Sequence, residues 1–221
     1  MLTRRIFVCG TPLVLAGCVT QDRSGLMARD DHDPRHAAIY DAVPGERFAV
    51  PAVDLSRIDP KFYRREIAYP TREPVGTIVV DPAQRFAYLV QEGGRAIRYG
   101  VGVGRDEAFN FRGAAIIARK AEWPRWVPTP SMIKREPKRY GPYADGMDGG
   151  IQNPLGPRAL YLYANGQDTY YRLHGTVEPW TIGTMVSSGC VRLINQDIID
   201  LYRRVPVGTK VVVLPAHGDV A

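Results

Sequence analysis

From Gly76 onward, short apolar runs alternate with turn residues. The runs at 77–80, 85–90 and 96–101 are separated by Asp81-Pro82-Ala83-Gln84 and Gln91-Glu92-Gly93-Gly94, a layout that predicts strands joined by tight turns. Further β-type runs lie at 114–118, 159–163, 169–173 and 210–214. Many short strands at close spacing predict a mainly β fold, a sandwich or a barrel. One segment has the helical period instead: Ile198, Ile199, Leu201, Tyr202 and Val205 make an apolar face, with Asn195 placed to cap its start and Pro206 and Gly208 beyond its end. Between Glu122 and Gly156 no regular pattern is visible. A loop of that length predicts a lid or a binding wall. Trp123 within it reads either as part of that wall or as a buried anchor holding the loop down.

Ahead of Gly76 the character is different. The stretch 21–72 is polar and broken by Pro34, Pro44, Pro51, Pro60 and Pro70, which reads as a tether with short helical pieces that pack on the body. At the start, Arg4-Arg5 precedes an apolar stretch, 6–19, that is short for a membrane span and has the layout of a secretory signal. Leu15-Ala16-Gly17-Cys18 resembles the lipobox of bacterial lipoproteins, where cleavage leaves a lipidated cysteine; ordinary signal-peptidase cleavage nearby is the alternative. Thr3-Arg4-Arg5-Ile6-Phe7 also resembles a twin-arginine export signal. The expected organisation is a signal at 1–17, a tether at 18–75, one folded domain at 76–215 and a tail at 216–221. The expected location is the periplasm, with membrane anchoring through Cys18.

Composition adds limits. The chain has 221 residues, 45% hydrophobic and 24% charged, the proportions of a globular protein rather than a disordered or many-span membrane one. Its formal charge of +6 is spread along the chain without a Lys/Arg run, which suits an anionic polymer or membrane surface and argues against nucleic acid. The cysteines are Cys9, Cys18 and Cys190. With the signal removed and Cys18 lipidated, Cys190 is a lone thiol in an oxidising compartment, either a small buried hydrophobe or a nucleophile. His32 and His36 lie in the polar N-terminal stretch and His217 in the tail, which leaves His174, at the end of a strand pattern, as its candidate base. A thiol needs such a base, and acyl transfer needs N–H donors where the oxyanion forms. Gly189 would let the backbone come close to a substrate carbonyl.

The segment Arg172-Leu173-His174-Gly175 with Ser187-Ser188-Gly189-Cys190-Val191-Arg192 resembles the signature of the L,D-transpeptidase family, also called YkuD-like or ErfK/YbiS-like. The resemblance runs from about Gly76 to Leu214 and includes Asn153-Pro154-Leu155-Gly156, which looks like the loop ahead of the family's histidine strand. It implies a YkuD-like β-sandwich of mixed sheets with a short helix after the catalytic motif and a lid-like loop. The implied chemistry is on peptidoglycan stem peptides: Cys190 attacks, His174 moves the proton, and the Gly175 carbonyl orients the imidazole. Gly189 and Cys190 would supply oxyanion N–H groups. Ser187, Ser188, Arg192, Trp126 and Asn153 complete the expected substrate-binding set, with Arg192 serving either a substrate carboxylate or the shape of the loop. No metal or cofactor is implied. Many relatives carry a second histidine where this chain has Ser188, so His174 must act without it. The acceptor could be a stem-peptide amine, an outer-membrane protein or water, the last giving an L,D-carboxypeptidase. A non-catalytic wall-binding lipoprotein is the rival from another class, and the presence of both Cys190 and His174 argues against it.

Overall fold

A computed structural model describes residues 34–104, 111–187 and 189–216, without the side chains of Val186 and Ser187. The signal, the lipobox, Ser188 and His217 lie outside the described residues. The fold is mainly β. Among the described residues there are ten strands: β1 (Arg65–Ala68), β2 (Ile78–Asp81), β3 (Phe86–Gln91), β4 (Arg95–Gly104), β5 (Gly113–Glu122), β6 (Arg158–Ala164), β7 (Gln167–His174), β8 (Met185–Ser187), β9 (Val191–Leu193) and β10 (Lys210–Val213). The helices are α1 (Pro34–Ile39), α2 (Pro130–Arg135), α3 (Pro137–Tyr140) and α4 (Asn195–Arg204).

The hydrogen-bonded order is β1-β4-β3-β2-β10-β5-β6-β7-β9, and β9 pairs back onto β4, so the sheet wraps round and closes. Most pairs are antiparallel, while β2–β10, β7–β9 and β4–β8 are parallel, which makes the sheet mixed. Side chains alternate across a strand. In β3, Ala87 and Leu89 enter the main core with Tyr99, Val101, Leu160, Leu173 and Val191, while Phe86, Tyr88 and Val90 face a second apolar layer. A strand covered on both faces has no polar side, which explains its nearly continuous apolar run. β6 and β7 meet through Asn165-Gly166, both with positive φ (51° and 77°), the two-residue turn whose twist suits a hairpin.

The second layer comes from the stretch read as a tether. From Pro34 on it carries the expected helical pieces, α1 and two 3-10 turns at Leu55–Arg57 and Pro60–Phe62, the latter two capped by the side chains of Asp54 and Asp59. It also carries β1, which nothing in the polar pattern of Arg65–Ala68 announced. Tyr40, Ile58, Phe62 and Tyr63 are buried against β2 and β3, and α4 holds the segment by side-chain bonds. Gln196 Nε2 donates to the carbonyls of Tyr40, Asp41 and Pro51, and Tyr40 donates its hydroxyl to Asp197 Oδ2 at 3.2 Å.

Two local expectations change. Asn195 is the first residue of α4 rather than its cap, a place taken by Ile194; its Oδ1 instead accepts from the Thr176 N–H at 2.8 Å, tying the helix to the loop after β7. The stretch 122–156 is not wholly irregular, because Thr129 caps α2 through the Met132 N–H and Pro130 and Pro137 start α2 and α3. Trp123 is the anchor of this loop: its ring lies edge-on to Phe48 and its indole N–H donates to Glu46.

Candidate active site

β7 and β9 run side by side in parallel, with Leu173 opposite Val191 and His174 opposite Arg192. Leu173 and Val191 enter the core. By the two-residue period of a strand, Arg172, His174, Cys190 and Arg192 therefore share the outer face. There His174 and Cys190 line one cavity of about 410 Å³, roofed by Trp126, Met132, Arg135, Tyr140 and Tyr143 from the 126–143 stretch. The expected lid is thus a helical roof.

His174 is buried, and its Nδ1 lies 2.6 Å from the Gly175 carbonyl. That oxygen can only accept, so Nδ1 carries the proton and Nε2 keeps its lone pair. Burial lowers the imidazole pKa to about 3, with Arg192 and Arg172 adding to the effect and the Gly175 carbonyl opposing it. The ring is a neutral base at neutral pH. Gly175 itself is packed so closely that a Cβ would collide with Asn195 Oδ1 and Pro157, which explains a glycine after the histidine.

Cys190 is half-buried, its thiol directed at the Tyr170 carbonyl at 3.7 Å. Burial raises its pKa, while Arg172, in the lead, and Arg192 pull it back. At rest the cavity therefore holds a neutral thiol and a neutral imidazole. Gly189, just ahead, has φ 127°, backbone that a side chain would strain. It lines the cavity with Cys190.

The other expected residues divide. Arg192 lines the cavity but is held by Glu178 at 2.8 Å, so it braces the 176–180 loop. Trp126 also lines the cavity, and it stabilises the roof: it forms a backbone bridge to Met147 and packs edge-on against Tyr140 and at a tilt against Tyr143. Ser187 ends β8, opposite Gly104. Asn153 departs from the expected set. It is fully buried and outside the cavity lining, with Nδ2 donating to the carbonyls of Pro124, Met147 and Asp148 and Oδ1 accepting from the Leu155 N–H. It braces the base of the roof, with both its amide nitrogen and its amide oxygen spent on backbone groups.

Sequence reasoning missed Arg172, paired with Asp168 at 2.6 Å, and Tyr170, whose φ is 57° and whose carbonyl faces the thiol. Arg172 had a signal: it stands two positions before His174 on a strand and must share its face. Tyr170 had none.

The model of the YkuD family, described as an L,D-transpeptidase catalytic domain, matches residues 76–213. The chain belongs to the L,D-transpeptidase family. Among relatives, it is 38% identical over 129 residues to open reading frame 5 of the ATP synthase subunits region of Fuscovulum blasticum, whose name includes the term L,D-transpeptidase, covering 58% of this chain and 62% of that one. It is 34% identical over 141 residues to the Escherichia coli protein named probable L,D-transpeptidase ErfK/SrfK, covering 62% of this chain and 43% of that one. A solved structure from Brucella melitensis, described as a probable carnitine operon oxidoreductase, is 53% identical, with 73% of this chain and 99% of that one covered and a TM-score of 0.49. The chain spans less than two thirds of the length of the curated L,D-transpeptidase relatives named above.

Proposed function

We propose that this L,D-transpeptidase domain transfers the acyl group of peptidoglycan tetrapeptide stems through a thioester on Cys190. The observation that carries the reading is the parallel β7–β9 pairing, which puts a thiol and a proton-accepting Nε2 on one face above one cavity. In the first half-reaction Cys190 Sγ attacks the carbonyl at the L-centre of the third stem residue as Nε2 of His174 takes the thiol proton. The S–C bond forms, the C–N bond to the terminal D-alanine breaks, and the same proton leaves on the alanine amine. In the second half-reaction an acceptor amine gives its proton to Nε2, attacks the thioester and frees the thiolate, which recovers that proton. Gly189 and Cys190 N–H groups serve the oxyanion in both halves. The raised thiol pKa fits proton transfer in step with attack rather than a standing ion pair.

An amine acceptor on a neighbouring stem gives a 3-3 cross-link, an amine on an outer-membrane protein gives attachment to the wall, and water gives trimming. The polymer is extracytoplasmic, which agrees with the export signal read at 1–17; among the described residues no helix is long and apolar enough to cross a membrane. The test is incubation with purified tetrapeptide muropeptides, reading products by mass. Wild-type protein should release D-alanine, and Cys190→Ala should release none while keeping the wild-type circular dichroism spectrum. D-alanine release by Cys190→Ala would overturn the mechanism.

A further inference from the structure

A second cavity, about 500 Å³, adjoins the catalytic one, with Gln152 and Val177 lining both. Its walls come from three places: Asp54 and Arg57 of the N-terminal layer, Ile151 and Gln152 below the roof, and Trp180 on the 3-10 turn Pro179–Thr181. The start of α4 closes the end through Gln196. The catalytic steps proposed above use none of these side chains.

We infer that this cavity binds a neutral sugar of the N-acetylhexosamine class, the glycan from which a stem peptide hangs. The chemistry of the walls selects that class. Trp180 is 42% exposed, unusual for a residue of its size, and the Arg57 guanidinium lies 4.2 Å from its ring centroid. Arg57 covers one face of the indole, and the exposed remainder is a flat apolar surface for the C–H face of a pyranose ring. Asp54 and Gln152 offer acceptors and an amide donor for hydroxyl and acetamido groups. Gln196 is buried at the closed end, where its Nε2 is spent on three carbonyls, so it holds the wall of the cavity in place and offers nothing to a ligand. One Asp and one Arg on the walls cancel, so the site has no charge bias toward an ionic ligand, and its volume is that of a small-ligand pocket.

The position fits as well, and this part rests on the proposed function. The attacked carbonyl belongs to the third stem residue, so three stem residues and the linking acyl group lie between it and the sugar, a reach of roughly 13–14 Å when extended at 3.3–3.6 Å per residue. A sugar site sharing a wall with the catalytic cavity suits a span of that order.

The experiment uses the full chain, its Trp180→Ala variant and a Trp180→Phe variant that keeps an aromatic face. The probe is N,N′,N″-triacetylchitotriose, followed by calorimetry. The wild type should bind it, Trp180→Ala should weaken binding about tenfold, the ratio equivalent to 1.4 kcal/mol, and Trp180→Phe should stay within about threefold of wild type. Iodoacetamide labelling of Cys190 at wild-type rate in Trp180→Ala would show an intact catalytic cavity. Turnover of a disaccharide-tetrapeptide should exceed that of the free tetrapeptide in kcat/KM for the wild type, and the ratio should collapse in Trp180→Ala through a rise in KM for the disaccharide form. No binding of the trisaccharide, or binding indifferent to Trp180→Ala, overturns the sugar site. Trisaccharide binding that responds to Trp180→Ala without turnover of either tetrapeptide overturns the proposed reaction and leaves the sugar site standing.

Discussion

Replacing His174 with Gln should remove a specific acid sensitivity from the fold. The imidazole is buried with a pKa near 3, against about 6.5 in an unfolded chain. Between those values the unfolded state holds the extra proton, so this contribution to stability is complete above pH 6.5 and is lost as pH falls toward 3. A gap of 3.5 units at 1.36 kcal/mol each is about 5 kcal/mol in the limit, of which about 3 kcal/mol falls between pH 7 and pH 4. Asp197 works the other way: burial lifts its carboxyl to about 7 despite Arg64 nearby, so its contribution is present in acid and lost as pH rises from about 4 to 7. In the wild type the two slopes offset each other, and the comparison therefore belongs in an Asp197→Asn background, where Tyr40 keeps an acceptor. Urea unfolding at pH 7 and pH 4 is the assay. Asp197→Asn should lose about 3 kcal/mol more than Asp197→Asn/His174→Gln over that interval. Equal pH dependence in the two proteins would mean that His174 is not buried as a neutral base.

Labelling of Cys190 by iodoacetamide should have its midpoint above the ordinary thiol value of about 8.5, because burial raises its pKa; an ion pair with His174 would put it well below, and a midpoint near 6 would refute the neutral pair. His174→Gln should leave that midpoint nearly unmoved while slowing acylation by carbapenems, the inhibitors implied by the family resemblance, by at least about a hundredfold. Asn153→Ala strands three carbonyls and one N–H at the base of the roof and should cost about 2–4 kcal/mol in chemical denaturation while raising KM; an unchanged midpoint would show that the roof does not depend on it. If Cys18 carries lipid, the mature protein should partition with membranes and Cys18→Ala should not, since two acyl chains suffice for stable anchoring; wild-type protein confined to the soluble fraction would refute the lipobox.

The strands from β2 to β7, with β10 and α4, were legible along the chain because alternation, turn residues and the 3.6-residue period are local properties. Cys190 and His174 stood out as candidates too, by elimination among three cysteines and four histidines. β1, β8 and β9 were not: β1 is a polar stretch without an apolar run, β8 and β9 are three residues each, and only pairing with β4 and β7 makes them strands. Local pattern is silent on partners, and so on the closure of the sheet through β4–β9 and the parallel register that sets Arg172, His174, Cys190 and Arg192 on one face. The polar residues needed tertiary structure most. Asn153 became a brace for the roof, Asn195 a tie to the loop after β7, and Gln196 a clamp on residues about 150 positions away. Sequence determined which residues could do chemistry and where strands could form. Burial decided the rest, since the role and charge of a polar group depend on what surrounds it, and its surroundings here come from distant parts of the chain.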